Sequence, residues 1–149
     1  MDTLIEGCRI FPLKIIPKDG GQIRRGLRSS DLGYDGFAEI YFSSIDVGFT
    51  SDWKRHKRMT LNIVVPVGEI KFSLYDDRIG SVSYKNFLQV TLGENRYYRL
   101  TVPPNIWVAF KGLSEPNSML ANIANLEHDP DEADREPISK FDFLKGPIA

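Results

Sequence analysis

The feature that most limits what this chain can fold into is a series of short runs with a two-residue period. In "EIKFSLY" (69–75), Ile70, Phe72 and Leu74 alternate with Glu69, Lys71 and Ser73. Successive side chains of a strand point to opposite faces, so one face of this run is buried and the other is wet or lines a cavity. Similar runs rich in β-branched and aromatic residues recur at 36–48, 59–68, 87–93, 97–104, 106–114 and 118–126, each bounded by Gly, Pro or polar turn residues. Their length and spacing predict an all-β antiparallel sandwich or barrel. Pro66 interrupts "IVVPVG" and predicts an edge position or a bulge. The stretch 18–36, "KDGGQIRRGLRSSDLGYDG", reads as a loop-rich entry with at most one short strand. Residues 127–149 read as a polar, acidic tail in which "ISKFDFL" forms a last short helix or a docked arm.

With 149 residues the chain is read as a single domain over 1–149, large enough for a real core. Nineteen basic residues against 20 acidic ones argue against non-specific binding to nucleic acid, which draws on a large positive excess. Any anion site must therefore be local. The one cysteine, Cys8, excludes an intramolecular disulfide framework and cannot alone build a thiolate metal site. No apolar run approaches the roughly 20 residues of a membrane span, and the N-terminus lacks a signal peptide's basic flank and cleavage pattern. A cytoplasmic protein without membrane partners is expected.

Against that neutral background one cluster stands out, Lys54-Arg55-His56-Lys57-Arg58. It is either a solvated strand end or the place where something anionic sits. If the cluster is extended, Lys54, His56 and Arg58 share one face and Arg55 and Lys57 the other.

Residues 76–115, with the pattern Asp76-x-Arg78-x-Gly80-Ser81, a strand, a turn, Pro103-Pro104 and Leu113-Ser114-Glu115, resemble the dTDP-4-dehydrorhamnose 3,5-epimerase family. The segment "GFAEIYFSSIDVGFTSDWKRHK" (36–57) is similar to that family's substrate-facing strand, loop and histidine-bearing strand. The tail "ANLEHDPDEADREPISKFDFL" (124–144) is similar instead to the shorter sugar-nucleotide 3,4-ketoisomerases. The resemblance spans roughly residues 18 to 145. It implies a double-stranded β-helix (cupin, jelly roll), a nucleotide diphosphate sugar as partner, and a homodimer that exchanges strands.

The departures from that pattern are specific. Where the epimerases have Arg-Gly-Leu-His, with the histidine as base, this chain has Ser51-Asp52-Trp53-Lys54. Of the two ketoisomerase histidines only the second remains, as His56. The family's histidine after Pro-Pro is Val108, and "LANIANLEH" lacks the tyrosine that serves the epimerases as general acid.

Removing a proton beside a ketone needs a base near neutral pKa and a donor for the enolate oxygen. Lysine serves when desolvation or nearby cations lower its pKa. Lys54 and His56 pointing into a barrel mouth are thus candidate base and partner, with a basic strand end in solvent as the competing reading. Tyr41, which shares a face with Glu39, is the candidate replacement acid, or packs in the sheet. Arg78 either contacts a diphosphate or forms an ion pair with Asp76 or Asp77. Asn62 and Glu39 are candidates for sugar hydroxyls, Asn62 alternatively satisfying buried backbone. Trp107 either stacks on the ligand or belongs to the core, and His128 is placed on the surface.

Metal cupins bring two histidines one residue apart, a glutamate and a later histidine. Two histidines in total, with lysine and valine at two ligand positions, predict no metal and no cofactor. The function expected is a nucleotide-sugar epimerase or isomerase of deoxysugar or surface-polysaccharide biosynthesis. The alternatives are a degenerate cupin that binds a nucleotide sugar or a partner enzyme without turnover, and a structural sandwich with no ligand.

Overall fold

A computed structural model of the chain describes residues 1–141. Twelve strands run in chain order: β1 (Arg9–Pro12), β2 (Ile15–Lys18), β3 (Gly21–Arg24), β4 (Glu39–Asp46), β5 (Trp53–His56), β6 (Leu61–Val67), β7 (Glu69–Tyr75), β8 (Phe87–Gly93), β9 (Tyr98–Val102), β10 (Trp107–Gly112), β11 (Asn117–Ala124) and β12 (Ala133–Glu136). They pair antiparallel into two five-stranded sheets, β1-β9-β6-β11-β4 and β12-β5-β10-β7-β8, with β2 and β3 as a separate hairpin. The fold is the all-β double-stranded β-helix expected.

The alternation read from the sequence explains the sandwich. Ile70, Phe72 and Leu74 of the second sheet face Leu61, Ile63, Val65 and Leu100 of the first, all buried in one apolar cluster. Burying each such side chain contributes roughly 1.5–3 kcal/mol. Pro66 lies in a central strand, and the pairing slips beside it: Met119 faces Val67 but Ala121 faces Val64. Of the two readings for Pro66 the structure takes the bulge. The turn into β7 uses Gly68 at φ +74°, where a side chain would be strained and would collide with Ser118.

Three parts of the fold carry little of that alternation. β1 and β2 were not anticipated, since prolines at 12 and 17 and Lys14 between them break any apolar period. The tail expected to be merely polar contributes β12, an edge strand added to β5 with Ala133 opposite His56 and Arg135 opposite Lys54. Backbone pairing and charge hold it there. Beyond it the described start of "ISKFDFL" forms a 3-10 turn at Ile138–Lys140, and residues 142–149, with the rest of that run, lie outside the described part. Ile138 and Phe141 pack on the outer face of the second sheet against Trp53 and Trp107, so this segment is a docked arm.

Candidate active site

Between the sheets lies a cavity of about 410 Å³, open at one end. Its deeper wall is apolar, with Leu61, Ile63, Phe72, Val108 and Leu120, while Lys54, His56, Tyr41, Asn122 and Arg135 supply polar groups. Val108, the position that resembles the family's histidine after Pro-Pro, is part of that apolar wall.

Strand β5 sorts the basic cluster by phase. Lys54 and His56 line the cavity, whereas Arg55 lies on the opposite face. There its guanidinium meets Asp134 at 2.8 Å and Asp77 at 3.0 Å, and covers the Trp107 ring at 4.5 Å. The strand ends at His56, so Arg58 does not continue the inward face. Its side chain is exposed near Asp129, and Lys57 lies 3.6 Å from Asp134.

His56 is locked by a residue the sequence reading passed over. Its Nδ1 lies 2.5 Å from Oε1 of Glu132, whose Oε2 accepts the backbone N–H groups of Arg58 at 2.8 Å and Met59 at 2.9 Å. Burial alone would raise the Glu132 pKa, but the hydrogen bonds from His56 and the two amides win and hold it at about 2. An ionised carboxylate only accepts, so Nδ1 carries the proton and Nε2 is left as the ring's lone pair. Burial pushes the His56 pKa down more than Glu132 pulls it up, which favours the neutral ring.

Lys54 is half-buried and, among the described residues, its ammonium makes no hydrogen bond or ion pair. Burial, and then Arg135, lower its pKa against the opposing pull of Glu132. On the facing sheet Tyr41 accepts a 2.8 Å hydrogen bond from Asn122 Nδ2, so its own proton is free for another acceptor. The Oδ1 of Asn122 is buried without a partner.

The remaining candidates lie elsewhere. Asn62 points out of the cavity, donating to Gly33 O at 3.0 Å and accepting from Thr101 at 2.6 Å, because its phase is opposite to that of Leu61 and Ile63. It satisfies buried polar groups rather than a ligand. Trp107 is buried on the outer face with Nε1 donating to Asp77 at 2.8 Å, so it is core and not a stacking platform. Arg78 is held by Asp76, Nε to Oδ1 at 2.9 Å and Nη2 to Oδ2 at 2.9 Å, and reaches Glu6 O, which makes it the structural ion pair. Glu39 sits at the start of β4, accepting from the backbone N–H of His128 at 2.8 Å, apart from the cavity. His128 is exposed in its loop.

The residues missed were Glu132, Arg135 and Asn122. For Asn122 a signal existed, since it has the same phase on β11 as buried Leu120. For the other two it was the match between the acidic run 129–136 and the basic run 54–58. Among the described residues no group of three or more His, Cys, Asp or Glu is arranged to hold a metal ion.

A two-sheet antiparallel sandwich with a cavity between the sheets, lined by Lys54, His56 and Tyr41, defines the class, a cupin. No protein-family model matches the chain. It is 33% identical to the dTDP sugar isomerase from Desulfovibrio desulfuricans G20, with a TM-score of 0.88 over 97% of this chain and 95% of that one. The chain therefore belongs to the dTDP-sugar isomerase and epimerase family. It is also 28% identical, over 90% of its length and 87% of the other's, to the probable low-salt glycan biosynthesis epimerase Agl13 of Haloferax volcanii. The dTDP-4-dehydrorhamnose 3,5-epimerase from Bacillus anthracis shares the fold, at 18% identity and a TM-score of 0.80 over 91% of this chain and 81% of that one.

Proposed function

We propose that the protein is a nucleotide-sugar epimerase or isomerase acting on a dTDP- or other nucleoside-diphosphate-linked 4-keto-deoxysugar in glycan biosynthesis. The observation that carries this is the placing of Lys54 and His56 on one wall of the cavity and Tyr41 on the facing sheet. Lys54 takes the proton beside the keto group; the electrons move into the carbonyl, and the resulting enolate oxygen needs a donor. Tyr41 is that donor, with its proton directed away from Asn122. Reprotonation of the carbon from the other wall inverts it, whereas transfer to the neighbouring carbon moves the ketone. His56, biased toward the neutral ring by burial and fixed in tautomer by Glu132, accepts or relays protons beside Lys54. The apolar wall of Leu61, Phe72 and Val108 suits the methyl end of a deoxysugar and excludes water from the enolate.

The reading includes a homodimer and a cytoplasmic location. Its support for the dimer is the outer face of the first sheet, where Ile40 and Phe42 on edge strand β4 are 43% and 61% exposed. The test is proton exchange in deuterated water with a panel of nucleotide 4-keto sugars, read by NMR. Incorporation of deuterium beside the ketone, lost in Lys54→Ala, is expected. Binding of a nucleotide sugar with no exchange in the unaltered protein would overturn the enzymatic reading.

A further inference from the structure

Lys54 and Arg135 stand directly opposite each other in the β5–β12 ladder, and both line the cavity. Like charges in directly opposed positions repel, and a sheet normally avoids them. Neither is answered by a carboxylate: among the described residues no ion pair or side-chain hydrogen bond is made by Lys54 or Arg135. Of the groups around Lys54, Glu132 is committed to His56 and two backbone amides, and Asp52 accepts from the backbone of Ile138 at 3.2 Å. From β10 the residue opposite Lys54 is Val108, from β4 comes the uncharged Tyr41, and along β5 comes His56.

We infer that Arg135 is the positioning residue that biases Lys54 toward its amine form, by presenting a permanently charged guanidinium to it across the β5–β12 pair. Guanidinium cannot give up its proton, so in this pair the amine is the group that yields. Half-burial works in the same direction, and with no carboxylate in contact the effect is opposed only by the pull of Glu132, which is itself committed to His56. The cost of a like-charge pair is thereby turned into a base at the position where the family resemblance leads one to expect histidine. Because Arg135 sits on an edge strand and is exposed, removing it leaves the sandwich in place. The inference rests on the reading of Lys54 as the base, and its test does not need turnover.

The experiment measures the pH dependence of Lys54 acetylation in the full, substrate-free chain by competitive labelling and mass spectrometry. The midpoint is expected below the ordinary lysine value, rising in Arg135→Gln and returning in Arg135→Lys. In enzyme assays the acid limb of kcat/KM should move with it. Equal midpoints in the unaltered protein and Arg135→Gln overturn the inference, also where the variant loses dTDP affinity, for then Arg135 is only a phosphate contact. A midpoint that moves in a protein showing no proton exchange with any keto sugar supports the inference and removes the enzymatic reading instead.

Discussion

The two faces of strand β5 use the same basic cluster in opposite ways. On the outer face Arg55 is answered by Asp134, Asp77 and the Trp107 ring, and Trp107 itself donates to Asp77. On the inner face, among the described residues, Lys54 has no such partner and His56 keeps one ring nitrogen free. A saturated network stabilises, because each group already has what it can bind. An unsaturated one beside a cavity is available for chemistry, and the like-charged Arg135 makes it more so. Four expected results test that contrast.

The largest effect falls on the inner face. Lys54→Ala should lower the exchange rate by about 10²–10⁴-fold, the usual range for a positioned base, with the thermal midpoint nearly unchanged. Equal rates in variant and parent would move the base elsewhere, to His56 first.

Second comes Glu132, the saturated carboxylate behind His56. Glu132→Ala strands a buried histidine and two backbone amides, so urea unfolding should show a loss of roughly 3 kcal/mol or more. Glu132→Gln should cost less, yet change the tautomer preference of His56, visible in the imidazole nitrogen shifts.

Acid should break the same contact. The Glu132 pKa is held at about 2 against an ordinary 4.5, so its contribution is present above about pH 4.5 and is lost as pH falls toward 2. For His56, burial lowers the pKa; below its ordinary 6.5 the unfolded chain takes up a proton that the folded one refuses, and stability again falls with acid. Stability should therefore decline in acid on both counts, and Glu132→Gln should flatten the part of the decline between pH 4.5 and 2. A decline of the same depth in that variant would assign the acid sensitivity to other carboxylates.

The fold was legible because the residues that set it also set the period: Ile70, Phe72 and Leu74 show the sandwich face with no structure at hand. Lys54 and His56 could be placed on one face by phase alone. What phase cannot supply is the sheet to which a polar residue's partner belongs. Asn62 seemed a ligand contact because its nearest donors and acceptors, Gly33 and Thr101, are far away in sequence. Trp107 is the same case, its partner Asp77 lying 30 residues away, whereas for Arg78 the ion pair with Asp76 was one of the two readings the sequence offered. Glu132 and Arg135 were hidden in a run with no apolar period, and that run becomes a strand only through β5.

The smallest effect belongs to the outer face, and it separates two kinds of ion pair. An exposed ion pair contributes at most about 1 kcal/mol. The two carboxylate contacts of Arg55 and its place over Trp107 make it a part-buried hub, so Arg55→Ala should cost about 1–2 kcal/mol, lost packing on the ring included. Lys57, whose side chain is 51% exposed and 3.6 Å from Asp134, should cost no more than about 0.5 kcal/mol when truncated, and less at high salt. Neither variant should alter proton exchange. Chemical denaturation of both, paired with the exchange assay, checks this. If Arg55→Ala abolished exchange at unchanged stability, the outer face would be part of the site after all, and the division of labour along β5 would be wrong.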